Sequence, residues 1–261
     1  MLKEWIVRAE TAEGASLARE LGTEPIIGQI LWNRGLQSAE EARAFLHPED
    51  EPFHDPFLMM DMERAARRII QAIHAGEQIV VYGDYDVDGM TSTTLLMKNI
   101  RALGGMVSYY IPNRFTEGYG LNGAALRQIA ADGCGLLVTV DCGISSVDIV
   151  AQMDGAMDII ITDHHLPGSV LPPAYAVINP HRADCPYPDK DLAGVGVAFK
   201  LVQALWQIEE ERLYADDLDI AALGTVADLV PLVGENRKIV QMGLLAMSAH
   251  PCEGIAALIR V

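Results

Sequence analysis

Gln78-Ile79-Val80-Val81-Tyr82-Gly83-Asp84-Tyr85-Asp86-Val87-Asp88-Gly89 runs from apolar, largely β-branched residues straight into an acidic loop. The same succession recurs twice: Leu136 to Val140 leads into Asp141-Cys142-Gly143, and Asp158 to Thr162 leads into Asp163-His164-His165. Short apolar runs of this kind read as buried strands of a parallel sheet, with each polar cluster where its strand ends. Open α/β sheets bind their ligands beyond the carboxyl ends of the strands. Five Asp and two His are therefore expected in one small volume. Carboxylates that close raise one another's pKa and do not all ionise without a cation among them. Carboxylate with imidazole suits Mn²⁺, Mg²⁺, Fe or Zn²⁺. The pattern reads as a metal site, and a two-metal one.

Outward from these loops the chain alternates. Thr91 to Leu103 reads as a helix, Met106 to Ile111 as a second strand and Asn122 to Ala131 as a helix closed by Gly133. A helix beginning near Ser145 and a short strand at Ala174 to Ile178 continue the pattern. Beyond Leu192 it is helical: Val195 to Ile208, Asp217 to Asp228 and Asn236 to Ser248. Repeated strand, crossover helix and parallel strand predict an α/β fold, a doubly wound, mostly parallel sheet flanked by helices. Upstream, Ser38-Ala39-Glu40-Glu41 is an N-cap with an acidic first turn, in a helix closed by His47-Pro48. Met62, Ala65, Ala66, Ile69, Ile70 and Ile73 recur at helical spacing, and Gly76 ends that helix. Residues 1–75 are thus expected to be a helical and linker extension, and residues 76–261 the main domain.

Half of the 261 residues are apolar, which supports a sizeable core and excludes disorder. No apolar run approaches the roughly 18 residues of a membrane span. Met1-Leu2-Lys3-Glu4-Trp5 lacks a signal-peptide pattern. Cys134, Cys142, Cys185 and Cys252 form no close-spaced pair, so neither a disulfide framework nor a cysteine zinc site is indicated, and a reducing cytoplasm fits. A net charge of −17 lacks the basic footprint usual in proteins that hold nucleic acid.

Asp163-His164-His165 and its companions resemble the DHH phosphoesterase superfamily, and within it the RecJ-type single-strand-specific exonucleases. The narrower likeness rests on Val80 to Thr91, on Ile111-Pro112-Asn113-Arg114 running into Glu117-Gly118-Tyr119-Gly120-Leu121, on Asn179-Pro180-His181, on Leu192 to Val197 and on Gly224-Thr225-Val226-Ala227-Asp228. It covers roughly Trp32 to the C-terminus. The resemblance implies 5′-to-3′ removal of nucleotides from single-stranded DNA, roles in repair and recombination, and two ions of Mn²⁺ or Mg²⁺. It also implies a further C-terminal nucleic-acid-binding domain. Ile255 to Val261 is a helical pattern with no stop signal, and the chain reads as a fragment of a longer protein. Bound divalent cations would offset part of the acidic charge. The alternatives within the superfamily are an oligonucleotide or cyclic-dinucleotide phosphodiesterase, an inorganic pyrophosphatase and an inactive scaffold. Tyr82 stands where the pyrophosphatases carry His, and the scaffolds lose ligands that are all present here.

The resemblance also assigns roles. Asp86, Asp88, His164 and Asp228 become metal ligands, with Asp84 beside them, and Asp141 the carboxylate that bridges both ions. His165 becomes the phosphate-side residue, with Asp163 orienting a histidine. Arg114 is a phosphate clamp, and Asn179 and His181 lie on the substrate side. Each has a plain structural alternative: a turn of Asx residues for Asp84 to Asp88, a helix cap for Asp141 or Asp228, a surface ion pair for Arg114. Adjacent residues in an extended segment face opposite ways, so His164 and His165 are expected to diverge.

Overall fold

The computed structural model describes residues 7–261, and the N-terminal stretch read for a signal peptide lies outside them. The chain divides into two compact units, Met1–Pro52 and Phe53–Val261. In the first, helices α1 (Ala12–Leu21), α2 (Pro25–Asn33) and α3 (Ala39–Leu46) close around Leu17, Leu31 and Ala42. The expected start of α3 is a full capping box: Ser38 Oγ accepts the Glu41 N–H at 3.1 Å, and Glu41 Oε2 accepts the Ser38 N–H at 3.1 Å. Helices α1 and α2 are additional to the elements expected from the sequence.

In the second unit, α4 (Met62–Ala75) leads into β1 (Ile79–Gly83), α5 (Val87–Ala102), β2 (Val107–Tyr110), α6 (Gly123–Ala131), β3 (Leu136–Val140), α7 (Val147–Ala151), β4 (Asp158–Thr162) and β5 (Ala176–Ile178). Helices α8 (Gly194–Glu210), α9 (Leu218–Ala227), α10 (Gly234–Ala249) and α11 (Glu253–Ile259) follow. All neighbouring strands pair in parallel in the order β2-β1-β3-β4-β5. Alternate side chains serve opposite faces: Ile79, Val81, Val138 and Ile160 join a core with α4, α5 and α8, whereas Val80, Tyr82, Leu137 and Ile161 join one with α6 and α7. The doubly wound α/β fold is therefore as expected.

Two differences from the sequence reading matter. The expected extension of residues 1–75 takes in α4, yet Met62, Ala65, Ala66 and Ile69 are fully buried in the sheet's core, and the division between units falls before it. Helix α5 begins at Val87 rather than Thr91. Asp88 thus lies in a helical first turn instead of an extended loop.

Because the chain moves from β1 outward to β2 and then back past β1 to β3, the strand order reverses between β1 and β3. That reversal opens a crevice at the carboxyl ends of these strands. No single helix among the described residues is long and apolar enough to cross a membrane.

Candidate metal centre

Asp84 closes β1, is buried, and accepts the Tyr85 N–H through Oδ1 at 2.7 Å. Asp86 is the N-cap of α5, its Oδ1 accepting the Gly89 N–H at 2.9 Å. Asp88 is buried, and its two oxygens accept the N–H groups of Gly194 and Val195, at 2.7 and 2.8 Å, where α8 starts. The carboxylate thus meets the positive ends of two helices at once. Gly194 must be glycine for this approach, since a Cβ there would stand 2.8 Å from both Cβ and Oδ1 of Asp141.

Asp141 follows β3 and His164 follows β4. His164 Nε2 lies 3.2 Å from Asp141 Oδ1, 3.7 Å from Asp228 Oδ2 and 3.8 Å from Asp88 Oδ2. Asp141 Oδ1, His164 Nε2 and Asp228 Oδ2 are all buried and make no hydrogen bond. Three desolvated polar atoms converging without a bond among them are costly unless a cation joins them. The donor set fits a divalent metal. Among the described residues three ligand groups are formed, Asp141 with His164 and His165, Asp88 with His164 and Asp228, and Asp84 with Asp86 and Asp141, each with its ligand atoms within 4.8 Å of one another. Asp141 and His164 each belong to two groups, an overlap suited to more than one ion.

The electrostatics carry the same signature. Burial, then the charges of Asp88, Asp86 and Asp163, pushes the Asp141 carboxyl up to about 10. Burial raises Asp88 to about 6, opposed by His164 and by the amides of α8. Asp84 and Asp228 are raised for the same first reason. Asp163 is the exception: burial works against it, but the hydrogen bond and charge of His165 and the Ile144 and His165 amides hold it below the usual carboxylate range.

Asp163 does not face the crevice as a ligand. Its Oδ1 accepts the N–H groups of His164 and His165 at 2.8 and 3.0 Å, and Oδ2 accepts that of Ile144 at 2.9 Å. His165 Nδ1 lies 2.7 Å from Asp163 Oδ1, and the hydrogen bond to Asp163 raises the imidazole to about 9. The expected divergence of the two histidines is not found. Their ring centroids are 4.5 Å apart, and both rings approach Asp141 Oδ1, His165 Nδ1 at 3.9 Å. Asp163 gathers both backbone amides, so the segment turns rather than extends.

The outer residues separate. Asn179 is fully buried, its Nδ2 donating to the His165 carbonyl at 2.8 Å and its Oδ1 accepting the His181 N–H at 2.8 Å. It braces the loop from beneath. His181 is half-buried, and its pKa is lowered by burial and by His164. Arg114 is exposed, its guanidinium 5.0 Å from the centre of the Tyr85 ring. Sequence reasoning assigned no role to Tyr119, whose hydroxyl lies 3.2 Å from His165 Nε2. It lies within the Glu117-to-Leu121 stretch that carries part of the family resemblance, and that stretch alone marks it.

The description of the DHH family, N-terminal domain, matches residues 78–225, which contain every group of this crevice except Asp228. The chain belongs to the DHH family. Among DHH relatives, it is 45% identical over 257 residues to the single-stranded-DNA-specific exonuclease RecJ of Bacillus subtilis, covering 98% of this chain and 32% of that protein. It is 40% identical over 268 residues to the RecJ of Escherichia coli, covering 97% and 45%. A crystal structure of RecJ in complex with Mn²⁺ from Thermus thermophilus superposes with a TM-score of 0.80 at 30% identity, over 95% of this chain and 35% of that one. The chain therefore spans 32% to 45% of the length of these curated DHH relatives.

Proposed function

We propose that this DHH chain carries the catalytic centre of a metal-dependent exonuclease that hydrolyses phosphodiester bonds of single-stranded DNA from the 5′ end, in the cytoplasm, in DNA repair and recombination. The observation that carries the reading is the convergence of Asp141 Oδ1, His164 Nε2 and Asp228 Oδ2, buried and unbonded, in a crevice of a fold shared with a Mn²⁺-bound RecJ. In this reading Asp86, Asp88, Asp141, His164 and Asp228, with Asp84 beside them, would hold two ions of Mn²⁺ or Mg²⁺, and Asp141, which belongs to two of the ligand groups, would be the carboxylate shared between them. Such ions supply Lewis acidity and neutralise charge at the scissile phosphate.

The remaining residues act directly on the substrate or on one another. His165, 46% exposed in its side chain, faces the crevice mouth and holds a proton where charge develops on the phosphate. Asp163 orients His165 by accepting from Nδ1. Arg114 clamps a backbone phosphate with its planar fork. Asn179 fixes the His165 backbone, and His181 lies beside His164 on the substrate side. The unit Phe53–Val261, with α4, is the catalytic domain in this reading.

The test pairs metal content with cleavage of single strands labelled at the 5′ or 3′ end, and of duplex, with Mn²⁺ and with chelator. Release of 5′-terminal nucleotides from the single strand, only with metal, is expected. Metal-independent cleavage, or equal attack on duplex, would refute the reading. Cleavage of a dinucleotide but not of a long strand would favour the small-substrate phosphodiesterase.

A further inference from the structure

Tyr119 is more than half exposed, yet its hydroxyl reaches inward to His165 Nε2 at 3.2 Å. The loop that carries it is fastened on both sides of that residue. On one side Glu117 accepts the Asn113 N–H through Oε2 at 2.8 Å, and its Oε1 accepts from Tyr110 Oη. On the other the Tyr82 hydroxyl donates to the Gly120 carbonyl at 3.1 Å and accepts the Asn122 N–H at 3.2 Å. Tyr82 and Tyr110, from adjacent strands β1 and β2, stack with centroids 5.2 Å apart. Gly118 and Gly120, at φ 80° and 82°, give the left-handed turns that point Tyr119 out of the loop and over the histidine.

Hydrogen-bond accounting fixes what the contact does. Asp163 accepts three backbone N–H groups, so toward His165 it acts as an acceptor and Nδ1 donates. That leaves Nε2 as the one free point of the ring. A ring tethered only at Nδ1 swings about that bond, and His165 has an exposed side otherwise without a hydrogen-bond partner. The Tyr119 hydroxyl both donates and accepts, so it holds Nε2 in either protonation state. We propose that Tyr119 is a positioning residue, which fixes the imidazole plane of His165 at the crevice mouth while Asp163 holds its other end. The proposal rests on His165 being the substrate-facing residue of a phosphodiesterase.

The test is Tyr119→Phe, which keeps the ring and removes the hydroxyl. In the Mg²⁺-loaded, ¹⁵N-labelled chain, the His165 Nε2 resonance should move while both His164 nitrogens stay in place. With Mn²⁺ and single-stranded DNA, kcat should fall roughly tenfold at constant KM, the sign of lost orientation rather than lost binding. The melting temperature should be unchanged. An unmoved Nε2 resonance, or a kcat within about twofold of the parent, overturns the proposal. A parent chain that cleaves no DNA would sink the nuclease reading alone, and the imidazole resonance would still decide the role of Tyr119.

Discussion

Asp141 adopts φ 60°, a left-handed conformation that Asp and Asn tolerate better than most other side chains. The strand-end geometry and the chemistry therefore select the same small set of residues there. Asp141→Asn keeps the backbone preference and mimics the neutral acid that burial favours without a cation. We expect the variant to fold, with a melting temperature at or above the parent's in chelator, and to lose Mn²⁺ affinity by at least about 100-fold. Calorimetric titration and thermal melts check both, and Mn²⁺ affinity within tenfold of the parent, on the order of a mere orienting role, would exclude it as a ligand. The raised carboxyls also set a pH dependence. The Asp88 pKa is about 6 in the folded chain against 3.8 as the reference, and that of Asp141 about 10. The metal-free folded state thus binds more protons than the unfolded state above pH 3.8, and its stability falls as pH rises through these values. His165, raised to about 9, acts in the same direction. Metal binding needs the ionised carboxylates and reverses the loss, so Mn²⁺ should raise the melting temperature more at about pH 8 than at about pH 6. An equal or smaller rise at the higher pH would contradict the assignment.

At the scale of elements, the site is a meeting of helix starts with strand ends. Helix α8 is buried from Gly194 to Trp206, and its first two amides bind Asp88 of α5. Its register on the sheet therefore decides whether the crevice forms. Gly→Ala in an exposed helix interior ordinarily stabilises by about 0.5–1 kcal/mol. At Gly194 the new methyl meets Asp141 at 2.8 Å, and the sign reverses. We expect Gly194→Ala to cost about 1–3 kcal/mol in denaturant melts and to weaken metal binding as well. A stabilised variant with parental Mn²⁺ affinity would show that α8 shifts freely.

Over the whole molecule, a net charge of −17 opposes a polyanion. Single-strand binding by this chain should be weak and its salt dependence shallow. At about −0.7 per phosphate neutralised, a log–log slope no steeper than about −2 is expected, from a few contacts such as Arg114. Titration of a fluorescent single strand across a salt series, in Mg²⁺, measures it. A markedly steeper slope would reveal a basic surface that the net charge conceals.

The sequence by itself determined the sheet, because apolar runs bounded by glycine and acid have few folded uses, and it determined that Asp84, Asp141 and His164 lie close together, because parallel strands end at one edge; Asp228, at the end of α9, is reached only through the family resemblance. It also determined α3, whose capping box is purely local. Helix α2 has no side-chain cap to mark its start, whereas α1 does carry local signals, Thr11 capping the Gly14 N–H and Gly22 closing the helix in a left-handed turn, that the reading from sequence leaves unused. What only tertiary structure decided were relations between segments far apart in the chain. The amides of Gly194 and Val195 reach Asp88, the carboxylate of Asp163 turns both histidines the same way, and Tyr119 arrives over His165 from another loop. Residue patterns report the period of a strand or helix and the chemistry at its end. Whether a hydrogen bond forms between residues 46 or 106 positions apart depends on how the elements pack, which no local pattern encodes.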